Sequence, residues 1–166
     1  VYESNNKDIS WYYKGIGKNK NKQFRSYDMN KVKEFFGQSN VQSQLAKYPD
    51  RNGEGNDYKS VGNNIVFMNI WNYDPQWKIS VKENNVELSV ERIYERDPYH
   101  TICFDYPRVN YDNNTNTDFS TNKNSHMFQV KTNSATSTLQ IKVTDRFGNV
   151  YEESMVRPKN FNTSTD

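Results

Sequence analysis

The sequence predicts an all-β chain: a two-layer antiparallel β-sandwich of immunoglobulin-like character, with at most one short helix and long loops. Three observations carry this prediction. Roughly eight short strand patterns are punctuated by Gly, Pro, Asn and Asp clusters. One of them, Ile65 to Trp71, is apolar on both parities, as a strand covered on both faces must be. No strand-helix-strand alternation of the kind that builds a parallel sheet is present.

In chain order, residues 1–9 are polar and read as a linker or the first edge of the domain. The domain proper is placed at 10–158, and 159–166 is a C-terminal tail. Ser10 to Ile16 and Gln23 to Tyr27 read as two strands joined by a GKNKNK turn, an N-terminal hairpin. Met29 to Phe36 is the one helical pattern. Asp28 or Asn30 serves as its N-cap and Gly37 as its stop, with Val32, Phe35 and Phe36 facing inward. Gln38 to Asn64 carries Pro49-Asp50, Asn52-Gly53 and Gly55-Asn56 turn signals and reads as a long loop, packed by Tyr48 and Tyr58.

Ile65 to Trp71 is then the central strand, and Asn72 to Gln76 supplies a turn in which Pro75 biases Asp74 away from helix. Trp71 is expected to anchor the packing between the layers, with Trp77, Leu139 and Ile141 as neighbours. From Trp77 the pattern alternates, Trp77, Ile79 and Val81 against Lys78, Ser80 and Lys82. After Glu83-Asn84-Asn85 it resumes as Val86, Leu88 and Val90, so Trp77 to Val90 reads as a hairpin with one wet face. Tyr99 to Tyr106 reads as a further strand. Asn110 to Asn124 is an Asn/Thr-rich loop without periodicity. Met127 to Lys131 follows as a strand, and Thr138 to Thr144 and Val150 to Val156 form a C-terminal hairpin whose Gly148 can take φ > 0.

At 166 residues the chain fits one domain that buries about 68 to 70% of its unfolded surface. Mean hydropathy is low, −1.09, but 12 Tyr and 9 Phe compensate for scarce aliphatics because each ring buries much area. The net charge of +2 is built from 22 basic and 20 acidic residues interspersed along the chain. That is not the concentrated basic footprint of a nucleic-acid binder. No apolar run is long enough to span a membrane. The single Cys103 cannot form an internal disulfide. A chain starting at Val1 without Met reads as an excised or processed piece, and an exported or periplasmic parent is favoured.

The run Asn69 to Ile79 (NIWNYDPQWKI), then Arg96-Asp97-Pro98-Tyr99 and Ala135 to Glu153, resembles the C-terminal domain attached to bacterial calcineurin-like metallophosphoesterases. Trp11 to Asp28 is similar to the opening of that domain. The resemblance implies a metal-dependent phosphoesterase domain upstream in the same parent chain, holding two divalent metal ions. It places no catalytic machinery in this chain. Enzymes of that family use Asp-x-His, Gly-Asp, Gly-Asn-His and Gly-His-x-His segments, whereas here Gly62-Asn63 is followed by Asn64 and Gly148-Asn149 by Val150. Two histidines, His100 and His126, cannot furnish a two-metal site.

A one-metal set of His100, Cys103 and Asp105 has suitable residue types, but on a regular strand His100 faces away from the other two. We therefore expect no catalytic, cofactor or metal residue in this chain. Tyr12, Tyr73, Tyr99 and His126 remain as interface or ligand contacts. The expected function is a non-catalytic accessory domain packed against the upstream phosphoesterase domain. The alternative is a carbohydrate-binding or adhesive module of an exported protein, whose glycan would need a coplanar exposed strip of Trp and Tyr rings.

Overall fold

The computed structural model describes residues 2–5, 8–45, 58–107 and 123–164. Its strands are β1 (Tyr2–Asn5), β2 (Asp8–Trp11), β3 (Phe24–Asp28), β4 (Ile65–Ile70), β5 (Lys78–Glu83), β6 (Val86–Glu87), β7 (Val90–Glu95), β8 (Asn124–Lys131), β9 (Leu139–Thr144) and β10 (Val150–Met155). Two four-stranded antiparallel sheets result, ordered β3-β4-β8-β7 and β10-β9-β5-β6, beside the two-stranded β1-β2 ribbon.

The double-sided apolarity of β4 has its expected cause. Val66, Met68 and Ile70 face the other sheet and meet Val81, Leu139, Ile141 and Val143 in the inter-sheet core. Phe67 faces the opposite way, into a second core with Tyr27, Met29, Val32 and Phe36, which the helices cover. The sandwich thus carries a helical layer on one outer face. Helix α1 (Met29–Phe36) starts where the Asp28 side chain accepts from the Asn30 N–H and stops at Gly37, as the sequence predicts. Met29, Val32 and Phe36 are its buried residues, while Phe35 is half-buried beside Phe161. The C-terminal hairpin also forms as expected, β9 against β10, with Gly148 at φ 83° in its turn.

Five expectations are corrected. The N-terminal hairpin is β1-β2, Tyr2 opposite Trp11, and Phe24 to Asp28 pairs instead with β4, Phe24 opposite Ile70. More than one helix forms: α2 (Ser39–Leu45) lies inside the stretch read as a loop, where Val41 and Tyr58 are buried. Tyr48 and residues 110–122 of the Asn-rich loop lie outside the described residues. The predicted strand Tyr99 to Tyr106 is helical, a short α3 (Pro98–His100) running into a π-turn at Thr101–Asp105. Asp97 caps it by accepting from the His100 N–H, and Pro98 at the first helical position needs no donor.

The fourth correction concerns the Trp77 to Val90 hairpin. Its ladder ends after β6, and Val90 onward crosses to the first sheet to pair with β8. The fifth is Trp71, which joins neither core. It shares the parity of Phe67 and Asn69, so the Leu139 and Ile141 expected as its neighbours belong to the opposite face of β4.

Beyond β10 the chain folds back over the helical face. Arg157 lies 3.6 Å from the Asp28 carboxylate with both side chains fully buried. The Lys159 Nζ donates to Ser26 and Glu153, and the Phe161 ring packs 4.9 Å from Phe35 and 5.9 Å from Phe36. Phe161 thus contributes an aromatic ring to the second core. No helix among the described residues is long and apolar enough to cross a membrane.

Candidate functional site

The face of the first sheet that carries the helices is not covered along its whole length. Helix α1 lies over Tyr27 and Phe67; one position pair further along the strands, Arg25 stands opposite Asn69 in the β3-β4 register. There the cover passes to α3 and the π-turn, which leave a cleft of about 350 Å³. One wall is Tyr13 and Trp71, ring centroids 5.9 Å apart. The other is Tyr99, His100 and Phe104, with His100 stacked on Phe104 at 4.9 Å. Ile16, Lys18 and Asn124 form the rim.

The floor is polar. Asp97 is buried and its carboxylate accepts from the Tyr27 hydroxyl at 2.8 and 2.9 Å, from the Asn69 amide and from the His100 N–H at 2.9 Å. Burial pushes the Tyr27 phenol well up, and the neighbouring Asp97 charge pushes it further, so Tyr27 stays a donor. Burial likewise raises Tyr58, whose hydroxyl lies 3.3 Å from the Arg96 carbonyl and from Thr101 Oγ1. The guanidinium of Arg25 lies 3.8 Å from the centroid of the Tyr99 ring, a cation-π contact. A second, much smaller pocket of about 50 Å³ sits beyond Arg25, between Lys22, Lys159 and Phe161.

Of the four contact candidates, Tyr99 alone lines the cleft. It is buried, which raises its phenol pKa. Tyr12 is half-buried with the Lys20 ammonium 5.5 Å from its ring. Tyr73 packs on the inter-sheet core, 4.8 Å from Phe128, under the Arg92 guanidinium. His126 is half-buried on β8, the strand beside β4, and does not line the cleft. Arg25, Asn69 and Asp97 are not among the sequence's site candidates, and Trp71 is read there as a packing anchor. One signal was present: Asn69 is the single polar residue in an otherwise apolar strand.

The helical turn brings His100 Nε2 to 3.8 Å from Asp105, yet Cys103 turns to the Thr163 carbonyl at 3.6 Å. Burial raises the Cys103 thiol pKa, which disfavours the thiolate a metal requires. Among the described residues no group of three or more His, Cys, Asp or Glu is placed to hold a metal ion. Nor are the exposed Trp and Tyr rings paired in one plane among the described residues. Tyr13 and Trp71 are inclined at 55°, and Trp11 and Phe147 at 83°.

The family model described as the C terminal of calcineurin-like phosphoesterase matches residues 1–151. No curated protein and no solved structure matches the chain. A match over nine-tenths of the sequence assigns the family: the chain belongs to the C-terminal domains of calcineurin-like phosphoesterases.

Proposed function

We propose that this domain is the non-catalytic accessory unit of a metal-dependent phosphoesterase, and that it packs against the catalytic domain preceding it in the parent chain. The observation that carries the packing is an apolar patch around β2. Ile9 is 60% and Trp11 41% exposed on the same side of that strand, and Phe147 from the β9-β10 turn stands 4.6 Å from the Trp11 ring. Isolated exposed hydrophobics are ordinary, whereas an aromatic pair with an aliphatic neighbour supports reading this face as an interaction surface. The family supports the choice of partner, since it is described as the C terminal of calcineurin-like phosphoesterase. Arg146, 5.3 Å from the Trp11 ring, gives the patch a cationic edge of the kind found at interface rims.

Two measurements test the reading. The 166-residue chain, incubated with a generic phosphate ester and divalent metal ions, is expected to give no turnover; metal-dependent hydrolysis by the chain alone would overturn the non-catalytic role. Titrated into the separately produced phosphoesterase domain, the chain is expected to bind, and Trp11→Ala is expected to weaken binding by roughly 2 kcal/mol or more, as for a central aromatic. Unchanged affinity in the variant would remove β2 from the interface.

A further inference from the structure

We propose that the cleft over the Arg25 and Asn69 row is a binding site for a small ring-bearing anion, its carboxylate or phosphate group held by Arg25 and its flat ring held between the aromatic walls. Three observations, all independent of the β2 patch, lead there.

The first is the state of Arg25. It is half-buried on the helix-covered side of the edge strand β3, and its guanidinium lies over the Tyr99 ring, 3.8 Å from the centroid. Asp97 shares the cleft, but no carboxylate forms an ion pair with this guanidinium among the described residues, so an anion that reaches it gains a charge-assisted contact in a partly desolvated place. Its planar fork suits the two oxygens of a carboxylate or phosphate. The second is that the acidic group nearest in the cleft is already engaged. Asp97 takes the Tyr27, Asn69 and His100 donors, so it serves as the structural cap of α3 and leaves the Arg25 fork for an incoming group.

The third is the shape of the space above. Trp71 and Tyr13 on one side and the stacked His100 and Phe104 on the other bound a slot of about 350 Å³, within the range of small-molecule sites. Phe104 is 49% exposed and Ile16 fully exposed at its mouth, apolar surface that a bound ring would cover. Inclined walls hold one ring from two sides; they do not offer the flat strip that a chain of sugars needs.

The test is an NMR titration of this chain that follows the Trp71 indole N–H and the Arg25 side-chain N–H. Phenyl phosphate and benzoate are the probes, with inorganic phosphate and benzyl alcohol as the anion-only and ring-only controls. Both probes are expected to shift the two signals with a Kd on the order of 1 mM, as fits ligands of their size. Each control is expected to bind about tenfold more weakly, since each lacks one half of the recognition. Arg25→Gln is expected to lose about tenfold for the probes and nothing for benzyl alcohol. Arg25→Lys keeps the charge without the fork and falls between, so the comparison survives if the Gln variant is unstable. No shift with either probe at about 10 mM, equal binding of probe and controls, or unchanged binding in both variants would each overturn the proposal.

Discussion

Glu83→Gln is expected to destabilise the domain, and by an amount that depends on pH. Glu83 ends β5, is only 2% exposed, and holds the connection between β8 and β9 where the chain passes from one sheet to the other. Its carboxylate accepts from the Asn133 N–H at 2.8 Å, the Asn133 amide at 2.9 Å, the Ser134 N–H at 3.1 Å and the Ser137 hydroxyl. Hydrogen bonds to a charged group are each worth about 1.5 to 3 kcal/mol net. A glutamine keeps one acceptor oxygen and turns an NH2 toward the remaining donors. Those donors lie at a partly exposed turn and recover some hydration, so the net loss is about 2 to 4 kcal/mol.

Burial alone would raise this carboxyl's pKa, but the four donors outweigh it, led by Ser137, and hold it below the usual glutamate value. A folded-state pKa depressed in this way gives stability that is fully present above the unfolded value and is lost as pH falls through the folded one. In urea melts at pH 7 the variant's midpoint should therefore drop by about 1 to 2 M, for an m-value of about 2 kcal/mol/M. The gap between the two proteins should narrow steadily below about pH 4.5. Equal midpoints at pH 7, or a gap of constant size across that window, would refute the view that the ionised carboxylate pins the crossing.

Two further substitutions separate structural from surface roles. Asp28→Ala removes the α1 cap and leaves Arg157 buried without its counter-charge, so thermal unfolding should show a loss of about 3 to 5 kcal/mol; adding Arg157→Met should recover much of it. Trp71→Ala should cost only about 1 to 2 kcal/mol by calorimetry, well under the roughly 3 to 5 of a fully buried aromatic, because its ring walls a cleft and leaves both cores intact.

What could be read from the sequence was whatever depends on local periodicity. Ile65 to Ile70, the Asp28 and Gly37 helix ends and the β9-β10 hairpin each carry their own signal within a short contiguous stretch, and each formed. Helix α3 carried a signal that was passed over, since Asp97-Pro98 is an N-cap followed by a favoured first residue. The partner of β3 carries no local signal. A strand of five residues fits β2 or β4 equally well by pattern, and burial of Phe24 against the second sheet decides the outcome. The cleft was illegible for the same reason. It joins Arg25, Asn69 and Asp97, three residues from separate elements, and only the β3-β4 register and the Asp97 cap bring them together. The Trp71 error was one of parity: counting from Val66 puts Met68 and Ile70 in the inter-sheet core and Trp71 on the other side.

The accessory role is tested most directly by amide hydrogen exchange, measured on this chain alone and on the same residues within a parent chain that includes the phosphoesterase domain. Docking through β2 predicts slower exchange in the parent over Ile9 to Trp11 and around Phe147, with the β3-β4-β8 sheet unchanged. Identical exchange over Ile9 to Trp11 in both contexts, with protection appearing on another face or nowhere, would contradict it.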